Sequence, residues 1–138
     1  MENCLRFQSY LQDAAKQCDR RILDLNNDFR KDEGDMVKIR RNVLDIFQKM
    51  FDIAVKKAEN EDEANRAAAL QACFLDKLHT IPENWKKSLQ LAREHDNARK
   101  IMEEEVKLNT VDEIEKVFKQ ILEEKERQGD IHDRNRSN

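Results

Sequence analysis

Hydrophobic side chains recur every three or four residues along most of this chain, which is the spacing of amphipathic α-helices. The strongest pattern lies between Met36 and Ala58, where apolar residues cover an arc of roughly 200° on a helical wheel. A helix that packs against one neighbour needs an apolar arc of only about 100°. We therefore expect residues 35–58 to form a central helix that two or three others enclose, with its aromatic and methionine side chains filling the core rather than binding a cofactor.

The first helix is predicted from about Asn3 to Lys31 and carries a narrow apolar seam with heptad-like spacing. Such a seam suits one neighbour in a bundle, or pairing with a second copy, so coiled-coil character is expected here. The polar run at positions 26–28 is a weak place in this helix, but Phe29 keeps the apolar register. The seam consists of Cys4, Phe7, Leu11, Ala14, Ala15, Cys18, Ile22, Leu25 and Phe29.

Short polar segments predict where the first helices end. Gly34 can take the positive φ that terminates a helix, and Asp35 can cap the second helix. Asn60 is the expected cap of a third helix over residues 61–79. Small residues on the buried side of this third helix would permit close packing against the second helix; they are Ala64, Ala67 and Ala68.

Two capping-box patterns predict the last two helices. The segment Thr80–Glu83 favours a fourth helix over about 82–107, with its proline in the first turn. The apolar face of this helix shifts by about a quarter turn near His95, so we expect a bend or a change of packing partners there. The segment Thr110–Glu113 predicts a fifth helix that stops at Gly129.

The composition favours helices throughout. Charged residues make up 40% of the 138 residues and apolar ones 38%, with two glycines and one proline. Hairpins need turn residues and sheets need β-branched runs, and the chain is poor in both. We predict an all-α fold, an antiparallel bundle of four to five helices in a single domain over residues 1–129. Residues 130–138 carry no hydrophobic pattern and are predicted to form a disordered polar tail.

The charge and cysteine content favour a protein of the cytoplasm. The chain has 26 basic and 29 acidic residues and a formal net charge of −3, with both signs interleaved. That pattern is typical of a solvated, ion-paired surface rather than of a membrane or nucleic-acid footprint. The first residues lack a secretory pattern, and no apolar run is long enough to cross a membrane. Three cysteines, an odd and sparse set, suit a reducing compartment.

An enzymatic alternative depends on the histidines. His95 and Asp96 form the dipeptide found in metal-dependent phosphohydrolases of the HD type, and His79 could supply a further ligand. The similarity is two letters long, and a bundle-type metal centre needs several carboxylates and histidines that point inward from facing helices. A small metal-dependent hydrolase built on His79, His95 and Asp96 is therefore the alternative hypothesis.

A second alternative is a regulator that binds nucleic acid through the second helix. Lys38, Arg41 and Lys56 share the outward face of that helix. Asp45 and Asp52 share the same face, and a groove that binds phosphates would be less diluted by acid. Nucleic-acid binding is accordingly less favoured than protein binding.

The favoured interpretation is a non-catalytic helical-bundle protein that acts by binding another protein or by self-association, for example as a homodimer. The first helix has a narrow seam suited to coiled-coil pairing, and the fourth has a split apolar face larger than one neighbour needs. Apolar surface that remains exposed after folding marks interaction sites. No cofactor and no metal are expected. The side chains predicted to bind the partner are Phe7, Leu11, Leu25, Phe29, Leu91 and Met102.

Overall fold

The computed structural model describes the backbone of residues 2–136 and the side chains of residues 2–121. Residues 2–136 form five α-helices joined by short turns, with no strand among them. The predicted all-α bundle is therefore confirmed. The helices are α1 (Glu2–Asn27), α2 (Lys31–Glu59), α3 (Glu63–Thr80), α4 (Glu83–Glu94) and α5 (Ala98–Arg136).

Helix α2 lies at the centre of the bundle, as its wide apolar arc predicts. It packs against α1, α3 and α5, and α1 also packs against α5. Its side chains at Val43, Leu44, Phe47 and Phe51 are buried, while Met50 is partly buried. Helix α4 packs chiefly against α5, and its Trp85 packs from outside against the main hydrophobic core.

Four phenylalanine rings meet in the core, one from each of the four helices that build it. Phe7 of α1 lies 4.9 Å from Phe51 of α2 and 5.2 Å from Phe118 of α5, between ring centroids. Phe74 of α3 lies 4.8 Å from Phe118 and 5.4 Å from both Phe7 and Phe51. All five pairs have the edge-to-face geometry that aromatic rings prefer. We call these rings the four-phenylalanine cluster.

We predict that Phe74→Ala lowers the free energy of unfolding by about 3–5 kcal/mol, because it removes a buried ring and leaves a cavity that three other rings border. Urea denaturation followed by circular dichroism measures this loss. Phe29→Ala is the matched control, since it removes the same ring from a residue that is 94% exposed; its effect should stay within about 1 kcal/mol. Similar losses for the two variants would contradict the importance of the cluster.

The first helix ends earlier than Gly34, so the predicted break at that residue is wrong. Helix α1 closes at residues 28–30, where the N–H of Arg30 donates to the carbonyl of Leu25 (2.8 Å) and the N–H of Phe29 donates to that of Asn26 (3.2 Å). This pair of bonds is a Schellman motif, in which Phe29 takes the left-handed conformation (φ 60°) that glycine usually occupies. Gly34 lies instead inside α2, where it is buried against α1.

We predict that Gly34→Ala raises the free energy of unfolding by about 0.5 kcal/mol, because alanine favours a helix more than glycine does. The new Cβ would lie 3.2 Å from Oδ1 of Asn26, which is the tip of an exposed side chain and can move aside. Thermal or urea denaturation measures the change. A loss of stability would show that the contact between α1 and α2 at Gly34 cannot relax.

The last two helices also differ from their predicted limits. The chain breaks near His95, so that α4 ends at Glu94 and α5 begins at Ala98. Helix α5 then continues through Thr110 without a break, and the predicted capping box there is wrong. The Thr110 hydroxyl donates to the carbonyl of Val106 (2.7 Å), as threonine can within a helix.

The early alanines of α3 are exposed, which corrects the prediction that they pack against α2. Ala64, Ala67 and Ala68 all face solvent, and the buried side chains of α3 begin at Leu70. The side chains of the first turns of α3 therefore add nothing buried to the core. The periodicity of these alanines fits a buried face, but methyl groups bury too little apolar area to draw the helix inward.

The C-terminal part of α5 keeps a helical backbone to Arg136. Side chains beyond Ile121, and residues 137–138, lie outside the described residues. The polar tail over residues 130–138 and the single domain over residues 1–129 therefore stay predictions. Across the described part of the chain, every helix is too short or too polar to cross a membrane.

Candidate functional site

Two turns lie together at one end of the bundle, which we call the turn end. One joins α1 to α2 at residues 28–30, and the other joins α4 to α5 at residues 95–97. Arg99, in the first turn of α5, links them to the start of α2. Its guanidinium lies 3.2 Å from the carboxylate of Asp35 and 3.6 Å from that of Asp32. The ion pairs bring the two turns to the same end of the molecule.

Both turns close with the same backbone motif. In the second turn, the N–H of Asn97 donates to the carbonyl of Ala92 (2.9 Å) and the N–H of Asp96 donates to that of Arg93 (3.3 Å). Asp96 takes the left-handed position with φ 51°, as Phe29 does in the first turn. Aspartate tolerates this conformation because its short polar side chain can bond locally, whereas a bulky aromatic residue rarely adopts it.

A phenylalanine at position 29 is therefore unfavourable for the stability of the fold in two respects. Its left-handed backbone costs about 1–2 kcal/mol relative to an ordinary conformation. Its ring is 94% exposed, so the protein gains almost nothing from burying it. Strained residues of this kind concentrate at functional sites, and the observation supports a role for the ring outside the folded monomer. The polar run at positions 26–28 was the sequence signal for the turn, but it did not reveal the conformation of Phe29.

Exposed hydrophobic side chains concentrate near the turn end. Leu91 is 56% exposed and lies in the last turn of α4, and Met102 is 54% exposed and lies in the second turn of α5. Leu23 is exposed in α1, one turn before the helix ends. Together with Phe29, these are four of the six large hydrophobic side chains that the described residues expose. Exposed apolar side chains that lie close together on a protein surface mark an interaction site.

The predicted partner-binding residues divide into two groups. Phe7, Leu11 and Leu25 lie in the core, because the narrow seam of α1 is covered by α2 and α5 within one chain. In this structure they hold the fold together and present no surface to a partner. The remaining three are exposed at or near the turn end: Phe29, Leu91 and Met102.

The residues of the hydrolase alternative do not come together. His79 lies near the end of α3 and bonds to Glu115 of α5 (2.8 Å between Nε2 and Oε1). His95 and Asp96 lie beyond the other end of α4, whose 12 residues span about 18 Å. Within the described residues, no group of three histidine, cysteine, aspartate or glutamate side chains is placed to hold a metal ion.

The basic face of α2 is partly neutralised by acidic neighbours. Arg41 bonds to Asp19 of α1 (3.1 Å) and to Asp45 of its own helix. Lys38 lies 3.9 Å from the carboxylate of Asp35. Because these cations already face carboxylates, the arrangement offers little to a phosphate backbone.

A polar network joins α1, α2 and α5 midway along the bundle. The guanidinium of Arg40 donates to both carboxylate oxygens of Glu113 (2.7 and 3.0 Å), and the Tyr10 hydroxyl donates to the same carboxylate (3.2 Å). The bond from Arg40 lowers the pKa of Glu113 below its ordinary 4.5. Burial, together with the negative charge of Glu113, raises the pKa of Tyr10 from 10.0 to about 12. Arg40, which interrupts the apolar face of α2, is thus accommodated by this network.

We predict that the phenol of Tyr10, the one tyrosine of the chain, titrates near pH 12 in absorbance at 295 nm, and that Glu113→Gln lowers this pKa. The charge that opposes ionisation is then gone, although burial still acts. Glu115→Gln is the control, since that carboxylate faces His79 instead. An equal shift in both variants would contradict the network.

The directions of the two pKa changes determine how the stability of the protein depends on pH. The raised pKa of Tyr10 contributes stability that is complete below its ordinary value of 10.0 and is lost as pH rises towards about 12. The lowered pKa of Glu113 contributes stability that is present above its ordinary 4.5 and is lost as pH falls. The variant Glu113→Gln should therefore show a flatter dependence of stability on pH at both extremes.

Among the described residues, Glu104 is the charged side chain that is buried, with 1% of its surface exposed. One carboxylate oxygen lies 3.0 Å from Nζ of Lys107 and 3.2 Å from Nζ of Lys100. The other oxygen is buried without a hydrogen-bond partner. Lys107 also lies over the ring of Trp85, 5.7 Å from its centroid, and so links this charge to α4.

Comparison with known proteins gives no family. No family model matches the chain, and neither the curated proteins nor the solved structures include a significant match.

Proposed function

We propose that this protein is a non-catalytic helical bundle that binds a protein partner, or a second copy of itself, through the turn end. The observation that supports the proposal is Phe29, an aromatic ring that is 94% exposed and held in a left-handed backbone conformation. Aromatic side chains, phenylalanine among them, are enriched at the cores of protein interfaces.

The surroundings of Phe29 are consistent with an interface. Leu91 and Met102 supply exposed apolar groups close to the second turn, and a flexible methionine adapts readily to a partner surface. Charged groups of Asp32, Asp35 and Arg99 lie between the two turns. An apolar anchor with charged groups around it is the usual anatomy of a protein interface.

The turn end is also held in a defined shape before any partner arrives. Each turn is closed by the two backbone bonds of its Schellman motif, and Arg99 bonds across from α5 to α2. A site that is already ordered loses less conformational freedom on binding. The exposed ring of Phe29 is thus presented from a short, bonded turn rather than from a long loop.

We predict that Phe29→Asn weakens association while it stabilises the monomer by about 1 kcal/mol, because asparagine tolerates positive φ and lacks the ring. Light scattering over a concentration series measures self-association, and urea denaturation measures stability. We expect the wild type to form a dimer or larger assembly and the variant to shift towards the monomer.

Leu5→Asn is the control, since Leu5 is 65% exposed on α1 at the opposite end of the bundle. It should leave association unchanged. If the wild type stays monomeric at every concentration, the same two variants are compared for retention of proteins from the source cell. Equal behaviour of the wild type and Phe29→Asn in both measurements would overturn the proposal.

A further inference from the structure

A cavity of about 390 Å³ opens at the end of the bundle opposite to the turn end. It lies where α1 begins, α2 ends and α3 begins, beside α5. Three rings of the four-phenylalanine cluster line it, and aliphatic side chains complete the apolar lining. We call it the end cavity, and its apolar lining includes Phe7, Phe51, Val55, Leu70, Phe118 and Ile121.

The end cavity borders the first turns of α3 and the part of α5 around Ile121. At the other end of α3, His79 bonds to Glu115 and holds the two helices together (2.8 Å). Towards the start of α3, Ala67 lines the cavity with only a methyl group and remains exposed. The structure describes every side chain of residues 63–69, and none of them is buried. This part of α3 therefore borders the cavity without filling it.

Both the size and the lining of the end cavity suit a small molecule. Binding pockets for small ligands have volumes of about 300–1,000 Å³ and are mostly apolar with a few polar groups. Apolar cavities of about 150 Å³ already bind small hydrocarbons, because water inside them finds too few hydrogen-bond partners. An apolar group that entered here would gain the free energy of leaving water and contact the rings of the cluster.

The described side chains at the mouth of the cavity sum to a net negative charge. Among the residues whose side chains the structure describes, Glu59 in the last turn of α2 and Glu63 in the first turn of α3 line it, and Arg66 is the cation of that lining. Nε of Arg66 donates to the backbone carbonyl of Glu61 (3.1 Å). This bond directs the guanidinium towards the backbone between α2 and α3. The C-terminal end of α2 adds a partial negative charge beside Glu59, while Glu63 offsets the partial positive charge at the start of α3. A positively charged group is therefore favoured at the mouth.

We propose that the end cavity binds a small amphiphile with an apolar chain and a cationic head, of the alkylamine class. The chain occupies the space beside Phe7, Phe51 and Phe118, and the ammonium group lies at the mouth near Glu59 and Glu63. The ammonium donates to carboxylates that stay in contact with water, so no charge is buried.

Three probes with the same chain and different heads test the proposal: decylamine, decanol and decanoate, each below its micelle concentration. Calorimetric titration of the full chain at neutral pH should show saturable binding of one decylamine per chain. Decanoate should bind at least about tenfold more weakly, since its charge is opposite, and decanol should lie between the two. Decanoate binding as tightly as decylamine would overturn the assignment of the head group.

A pair of variants on α3 tests the location. Ala67→Phe places a ring at a residue that lines the cavity, and it should reduce decylamine affinity at least about tenfold. Ala68→Phe adds the same ring at the next residue, which is exposed and outside the lining, and it should bind like the wild type. Circular dichroism verifies that both variants fold.

Two results would overturn the proposal: no saturable binding of any probe, or equal affinity of the two alanine variants. The outcome is independent of the proposed role of the turn end. Phe29→Asn should bind decylamine as the wild type does, because Phe29 lies in the turn that follows α1, whereas Phe7 lies near the start of that helix.

Discussion

The contact on which the structure depends is the meeting of Phe7, Phe51, Phe74 and Phe118, which fixes four helices against one another at one level of the bundle. Each ring touches at least two of the others, so no helix can slide along its axis without breaking contacts on the rest. The cluster lies nearer one end, since Phe7 is six residues into α1, and the far end of that helix is about 30 Å away. The end cavity therefore borders the cluster, and the turn end lies beyond the far end of α1.

The charged and polar contacts between helices have a different role from that of the apolar core. Arg40, Glu113 and Tyr10 bond across three helices, but about half of the Glu113 side chain stays exposed, which limits how much the bonds stabilise the fold. Their geometry instead defines how α5 lies against α1 and α2, because a bidentate pair tolerates little displacement. Glu104 shows the converse, since one of its oxygens is buried without a partner and contributes a cost rather than a gain. The polar contacts select an arrangement that the phenylalanines make stable.

The sequence predicts this fold well where side chains are large. The wide apolar arc of residues 36–58 correctly predicted the central helix, because the burial of large apolar groups dominates the free energy of folding. Prediction failed where local signals compete with packing. Gly34 suggested a turn, yet the chain turns at Phe29, and Gly34 lies inside α2 with an ordinary helical backbone. Thr110 suggested a cap, yet its hydroxyl satisfies a carbonyl inside α5, since burial of the flanking residues outweighs the cap.

The two candidate sites were harder to predict for a physical reason. Periodicity reports which residues share a face, and it placed Phe7, Leu11 and Phe29 on one seam without distinction. Only tertiary structure shows that α2 and α5 cover the first two and leave Phe29 on a turn. The end cavity likewise lies beside Ala67, which matches the buried pattern of the sequence but remains exposed. Both sites therefore arise where the hydrophobic pattern and the packing disagree, and such departures are where function is expected in a sequence that otherwise folds consistently.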